Sequence, residues 1–259
     1  MNVPIKMIDI STTLLWLVLI LFLVSAVYSV RDLNFDFGEP QMSLISDNQL
    51  LFSLRIGIVN KGFYNIGSFN VTTEISDIDG FVIAQGLTFI DTIKKGENMT
   101  AFHNATLDFD DLLQSDRNLL FNDTQLEAAV YASVRIADII PIGATTNFSI
   151  PWGAPFYNFT VGEPTGADFN LTHFQVTIPI SFENHAFFDI NGNMQVQMYN
   201  SANSLTGSGQ TAVQVSQHSR YNGSIDFYVL KLDMTRTGRL EVSLLTSLFE
   251  YGPLVVPYG

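Results

Sequence analysis

Leu33-Asn34-Phe35-Asp36-Phe37-Gly38-Glu39-Pro40 returns as Tyr157-Asn158-Phe159-Thr160-Val161-Gly162-Glu163-Pro164, an offset of 124 residues. At the same offset Asn60-Lys61-Gly62-Phe63-Tyr64-Asn65-Ile66 is answered by Asn184-His185-Ala186-Phe187-Phe188-Asp189-Ile190. Val82-Ile83-Ala84-Gln85-Gly86 then matches Leu205-Thr206-Gly207-Ser208-Gly209 at 123, and Ile150-Pro151-Trp152-Gly153 matches Val256-Pro257-Tyr258-Gly259 at 106. Four matches in one order mark an internal duplication. The shrinking offset places about ten additional residues of the first copy between Phe109 and Leu126, and about eight between Ile136 and Asn147. Insertions of this kind are expected in loops between shared strands.

Within each copy the apolar period is two. Phe52, Leu54, Ile56 and Ile58 alternate with polar or small residues, as do Phe174, Val176, Ile178 and Ile180. Val130, Ala132, Val134 and Ile136 do so again, with Leu240, Val242, Leu244 and Thr246 as their counterparts. This is the pattern of strands with one buried face. Asp79-Gly80, Lys95-Gly96, Asn191-Gly192 and Thr237-Gly238 supply turn chemistry, and Asp110 to Gln114 suggest a helical turn. About seven strands per copy predict an all-β chain: two tandem immunoglobulin-like antiparallel β-sandwich domains after one N-terminal transmembrane helix. The expected divisions are a short cytoplasmic tail (1–10), the transmembrane helix (11–30), a first domain (31–154) and a second (155–259). The second domain, closing on its own repeat, is expected to fold alone. Trp152, Phe156 and Tyr157 stand at the junction, either as an interdomain aromatic contact or as lids on each core.

From Leu14 to Val30 no residue is charged, and with Ser11 to Thr13 the run reaches the length that crosses a bilayer. The poorly basic leader, Lys6 offset by Asp9, and the length of the apolar run favour a retained anchor over a cleaved signal. Membrane lipid is thus the expected partner of residues 11–30. Asn-x-Ser/Thr acceptors stand at Asn70, Asn98, Asn104, Asn122, Asn147, Asn158, Asn170 and Asn222, all beyond the anchor. Nineteen asparagines in this composition would give roughly three by chance. The excess predicts a glycosylated, extracytoplasmic body and a cytoplasmic N-terminus in the cell membrane. Asn98 and Asn222, beside Gly96 and Gly223, read as turn positions.

Net charge is −13 with only twelve basic residues, which argues against nucleic acid. The absence of cysteine removes disulfides, thiolate chemistry and cysteine-ligated zinc. His103, His173, His185 and His218 lack metal-ligand spacing. Asp189-x-Asn191-Gly192-Asn193 opens like a calcium loop, but its twelfth position, Asn200, offers no carboxylate, and Asn191-Gly192 reads as a tight turn. No nucleophile elbow or phosphate loop occurs, so no catalytic residue, metal or cofactor is expected.

Each copy resembles the water-stress and hypersensitive-response (WHy) domain of group-two late-embryogenesis-abundant proteins. The likeness rests on the alternating strand entering Val59-Asn60, on Phe63-Tyr64-Asn65-Ile66, and on the small-residue exit Ile83-Ala84-Gln85-Gly86. The second copy repeats it at Phe182-Glu183-Asn184 through Ile190 and at Thr206 to Gly209. Lys61 and His185 stand where that family usually has proline. The resemblance implies a seven-stranded sandwich without known catalytic residues, associated with stress protection or envelope roles. The expected role is a structural or binding protein of the cell envelope with an envelope protein partner. The alternative is an accessory subunit of a surface filament or secretion apparatus. Eight acceptors without cysteine are compatible with an archaeal cell surface.

Overall fold

The computed structural model describes residues 3–46, 49–109, 111–112 and 117–259. Helix α1 spans Val3–Arg31, and its segment Thr12–Arg31, mean hydropathy 2.5, is long and apolar enough to cross a membrane. The helix reaches back through most of the stretch expected as a tail. Pro4 sits in its first turn, where a missing N–H costs nothing.

Sixteen strands follow among the described residues. The first eight are β1 (Leu33–Phe37), β2 (Gln41–Ser46), β3 (Gln49–Asn60), β4 (Ile66–Ser76), β5 (Val82–Ile93), β6 (Asn98–Asp108), β7 (Thr124–Ile136) and β8 (Ile140–Trp152). The second eight are β9 (Tyr157–Val161), β10 (Thr165–Asp168), β11 (His173–Asn184), β12 (Ile190–Asn200), β13 (Leu205–Val215), β14 (Ser219–Leu230), β15 (Gly238–Thr246) and β16 (Glu250–Tyr258). In the second half, β9 and β10 pair with β11, which pairs with β14, while β13-β12-β15-β16 form a separate sheet. The first half repeats this order strand for strand, with β1, β2, β3 and β6 on one side and β5, β4, β7 and β8 on the other. Every pairing is antiparallel. Each half has eight strands rather than about seven. The additional ones, β2 and β10, are short and continue the pairing of β1 and β9 along β3 and β11, and β10 (Thr-Gly-Ala-Asp) carries no apolar alternation.

In the first half the two layers touch through two residue pairs, Gln85↔Thr106 and Gly86↔Ala105. A Cβ on Gly86 would lie 2.6 Å from the Asn104 carbonyl. Its counterpart Gly209 would meet Ile225 at 2.7 Å. The small-residue exits of the sequence are therefore where the layers close on one another.

At the opposite end a buried asparagine joins the layers. Asn60, at the end of β3, donates from Nδ2 to the Tyr64 carbonyl (3.0 Å) and to the Ile93 carbonyl of β5 (3.2 Å). Its Oδ1 accepts from Gly62 N–H (3.1 Å). Asn184 does the same in the second half, reaching Phe188 O (2.8 Å) and Val215 O (3.4 Å) and accepting from Ala186 N–H (3.0 Å). Both are fully buried.

The described residues of the insertion between Phe109 and Leu126 do not form a surface loop. Phe109, Leu112, Leu119 and Leu120 are buried in a core continuous with that of the second half. Phe109 meets the rings of Phe188 (5.5 Å) and Phe249 (5.8 Å), and Phe121 meets Tyr251 (5.5 Å). Trp152 donates its indole N–H to the Leu119 carbonyl (2.8 Å), and Phe156 N–H bonds the Leu120 carbonyl (2.8 Å). The second half borrows no strand, and its core is continuous with these side chains of the first. The second insertion lengthens the β7–β8 hairpin to thirteen residues per strand, against nine in β15 and β16. Phe109, Asp111 and Leu112 are helical; the rest of the helical turn expected over 110–114 lies outside the described residues.

Two turn readings are corrected. Asn191-Gly192 lies within β12, where the Leu245 carbonyl stands 2.2 Å from the place of a Cβ on Gly192. Asn222 lies inside β14, opposite Ser181.

Replacing Asn184 by alanine strands buried backbone groups at the corner, each worth about 1–3 kcal/mol. A loss of about 3 kcal/mol is expected from urea melts of the detergent-solubilised chain. Asn193→Ala, at an exposed position of the next strand, stays within about 0.5 kcal/mol of the parent.

Candidate functional site

The densest group of titratable side chains sits where the two halves meet. Asp123, just before β7, follows the insertion's 3-10 turn (Arg117–Leu120). One of its oxygens accepts from Ala154 N–H (2.9 Å) and the other meets His185 Nδ1 (2.7 Å). His185 Nε2 lies 3.2 Å from Glu183, and Glu183 also pairs with Arg220 of β14. Tyr157 stacks on the imidazole at 4.3 Å. His185 N–H donates to the Ala154 carbonyl (2.9 Å), so backbone and side chain bind the first half together.

The hydrogen bond with Asp123 is the main influence raising the His185 pKa above 6.5. Arg220, then His185, holds Glu183 below the usual carboxylate range. A carboxylate only accepts, so one facing each nitrogen favours the imidazolium, which donates to both, and the group forms an ionic clasp across the junction. It went unread in the sequence because Asp123 and His185 are far apart in the chain. The available signal was the alignment of copies, which sets His185 opposite Lys61.

His103 behaves in the opposite way. It is buried in β6, with Nε2 2.7 Å from Thr73 Oγ1 and Nδ1 3.0 Å from Thr88 Oγ1. Burial lowers its pKa, and a neutral ring satisfies both hydroxyls by donating once and accepting once. His173 bonds Thr172 at an exposed turn, and His218 occupies a turn at φ 55°. Among the described residues no three His, Asp or Glu side chains converge on a metal position. Asp189 accepts from Gln217 N–H (2.9 Å) rather than opening a loop.

Asn98, Asn104, Asn122, Asn147, Asn158, Asn170 and Asn222 are all exposed. Asn104 and Asn170 use only Oδ1, accepting from Ser53 and from the Thr172–His173 turn, which leaves Nδ2 outward. Asn70 differs: it is half-buried beside a bulge in central strand β4, and its Oδ1 is enclosed. An open apolar cleft of ≈ 240 Å³ lies between β1 and the β7–β8 hairpin, lined by Phe35, Phe37, Phe69, Val134 and Ile142 among others.

No protein-family model and no curated protein matches the chain. Distant likenesses exist among solved structures. A red sea bream transglutaminase aligns over 88% of this chain and 31% of its own, at 14% identity and TM-score 0.31. A glycosyl hydrolase family 2 member from Bacteroides cellulosilyticus aligns over 82% and 28%, at 9% identity and TM-score 0.34. A protein from Archaeoglobus fulgidus aligns over 45% of this chain and 95% of its own, at 14% identity and TM-score 0.29. The chain thus spans less than a third of the first two.

The two histidines generate opposite flanks of a stability profile. Above pH 6.5, the ordinary histidine value, the folded chain retains the His185 proton that the unfolded chain releases. Stability from the clasp is complete below 6.5 and falls as pH rises through the raised folded value. For His103 the folded chain refuses a proton that the unfolded chain binds. That contribution is present above 6.5 and is lost as pH falls toward the lowered folded value. Glu183 loses its contribution only at more acid pH, below its ordinary 4.5. Melting temperature measured from about pH 5 to pH 8 is therefore expected to peak near the ordinary histidine value. His185→Gln flattens the alkaline flank alone, and His103→Gln the acid flank alone.

Proposed function

We propose that the chain is a single-pass membrane protein whose tandem immunoglobulin-like domains, 31–154 and 155–259, stand outside the cytoplasm as a glycosylated structural or binding element of the cell envelope. The observation that carries this reading is the continuity of helix and body. Asp32, the residue after α1, gives its carbonyl to Lys61 N–H (3.1 Å), and β1 begins at Leu33. A cleaved leader would not be expected to share contacts with the mature fold. Here Ser29 Oγ accepts from Phe63 N–H (2.9 Å), and Ser25 meets the Tyr64 hydroxyl (2.6 Å). The acceptors, all beyond the helix and seven of them exposed, support an extracytoplasmic body. Each copy is read as WHy-like on the strength of the corner asparagines Asn60 and Asn184, each closing an alternating strand.

A non-enzymatic role is favoured by the doubly occupied His185 and the enclosed His103, which leave neither free for proton transfer. The role of accessory subunit in a surface assembly draws on the open cleft at Phe35 and Phe37, an apolar surface suited to a protein partner.

Protease added to intact cells should degrade the body while sparing a fragment containing α1, and glycopeptide mass spectrometry should find glycans on several exposed acceptors, with Asn70 the least occupied. A body protected in intact cells, with unmodified peptides across all eight sites, would reject the topology.

A further inference from the structure

The end of the first half nearest α1 is built like the end of the second half that rests on the first, but what lies against it is one face of a helix. In the second half this end carries Phe188 (the counterpart of Tyr64), Leu248 and Phe249, all buried, with Phe109 and Phe156 of the junction against them, and Phe187, the counterpart of Phe63, half-buried. In the first half Phe63 stands 55% exposed and Ile139, at the tip of the lengthened hairpin, 70% exposed. The loops that bear them are fixed together. Lys95 N–H donates to Asn65 Oδ1 (3.0 Å), Ala137 N–H to the Asn65 carbonyl (3.1 Å), and Gly96 N–H to the Asn60 carbonyl (2.7 Å).

These loops share the height of the last helical turns. Phe22, Ser25, Ala26 and Ser29 form the helix face turned toward the body, with Phe22 and Tyr64 rings 5.7 Å apart. A Cβ on Gly62 would lie 2.3 Å from Ser29 Oγ, so the seat is close. Phe22 lies about 13 Å below Arg31 along the axis, whereas the headgroup layer on one side of a bilayer is only about 5–8 Å deep. On the face away from the body, Val27 is 71% exposed, with Tyr28 and Val30 beside it. Holding the body clear of the bilayer would leave those apolar turns in water. Seating them in lipid brings Phe63, Tyr64 and Ile139 to the interface, where aromatic residues are favoured.

The charges agree with this placement. The segments that form this end carry Arg31, Lys61, Lys94, Lys95 and Arg135 with Asp32, Asp91, Glu97 and Asp138, a slight excess of basic over acidic groups in a chain of net charge −13. Lys95 reaches over the Phe63 ring at 5.8 Å.

We propose that this end of the first half docks on the bilayer surface, with Phe63 and Ile139 entering the interfacial layer and the lysine collar contacting anionic lipid headgroups. The proposal rests on the membrane-anchor reading and adds a second, surface attachment to it.

Because the chain has no cysteine, single-cysteine variants give clean labelling sites. Full-length protein carrying an environment-sensitive fluorophore at Phe63→Cys, Ile139→Cys, Val18→Cys or Leu232→Cys is reconstituted in nanodiscs of phosphatidylcholine with or without phosphatidylglycerol. An aqueous collisional quencher then reports exposure. Leu232, 99% exposed in the turn after β14, is the aqueous reference, and Val18 the reference within the span. Quenching at 63 and 139 several-fold weaker than at 232, and weaker still with phosphatidylglycerol, is the expected result. Lys61→Glu with Lys94→Glu and Lys95→Glu should abolish the phosphatidylglycerol effect at 139 while leaving Val18 protected. Labels at 63 and 139 quenched as readily as 232, with Val18 protected, overturn the docking and spare the anchor. A Val18 label as exposed as Leu232 overturns both.

Discussion

One buried carboxamide in each half ties the layers together. Between the layers of such a sandwich backbone pairing is sparse: the first half has the short β5–β6 bridge at Gln85 and Gly86, and elsewhere side chains set the separation. Asn60 and Asn184 supply a polar bond there, from the end of one layer's central strand to a carbonyl of the other. The same side chain shapes the turn that follows by accepting from the second residue along. With the turn held, the N–H of the intervening residue points outward. Lys61 N–H donates to the Asp32 carbonyl after the helix, and His185 N–H donates to the Ala154 carbonyl at the end of the first half. The corner is therefore both an internal lock and a seat for whatever precedes it in the chain.

That seat explains why the linkers need no length. The segment that enters each half is hydrogen-bonded at once to the corner, and apolar contacts then enlarge the joint. In the second half the joint is large, because Phe109, Leu119, Leu120 and Phe121 extend the core across the boundary. Among the described residues one core cluster runs through the junction, so the two halves share buried apolar surface. The ionic clasp of Asp123, His185, Glu183 and Arg220 lies at the rim of this joint. There, part exposure makes each pair worth little alone, and direction matters more than strength.

The strands were legible because a half-buried sheet repeats its chemistry every second residue. Val176, Ile178 and Ile180 are all buried, as the alternation required. The duplication was legible because both copies obey the same corner. What stayed hidden depended on neighbours distant in the chain. Asn191-Gly192 has the local chemistry of a turn, but glycine is needed there because the Leu245 carbonyl passes close to its Cα. Strand β10, Thr-Gly-Ala-Asp, has no apolar alternation to read. The His185–Asp123 contact joins residues 62 apart in sequence. The first insertion carries a signal of its own: a surface loop seldom holds Phe, Leu, Leu and Leu together, and Phe109, Leu112, Leu119 and Leu120 fill the junction.

The two insertions distinguish the copies, and they lie at opposite ends of the first half. Residues 109–123 connect β6 to β7 at the end remote from the helix, while the lengthened hairpin around Ala137 lies beside the Asn65 corner near the helix. The shared fold supplies the same two ends to both copies, but in the first copy each end carries an insertion. Its far end meets the second half and gains apolar residues. Its near end lies where the helix leaves the fold and gains a hairpin tipped by Ile139. The second copy needs neither addition, since its near end is covered by the first and its far end is free. Leu171 and Leu232 at that far end are almost fully exposed. The duplication thus supplied the architecture, and the later differences between copies follow from position in the stack.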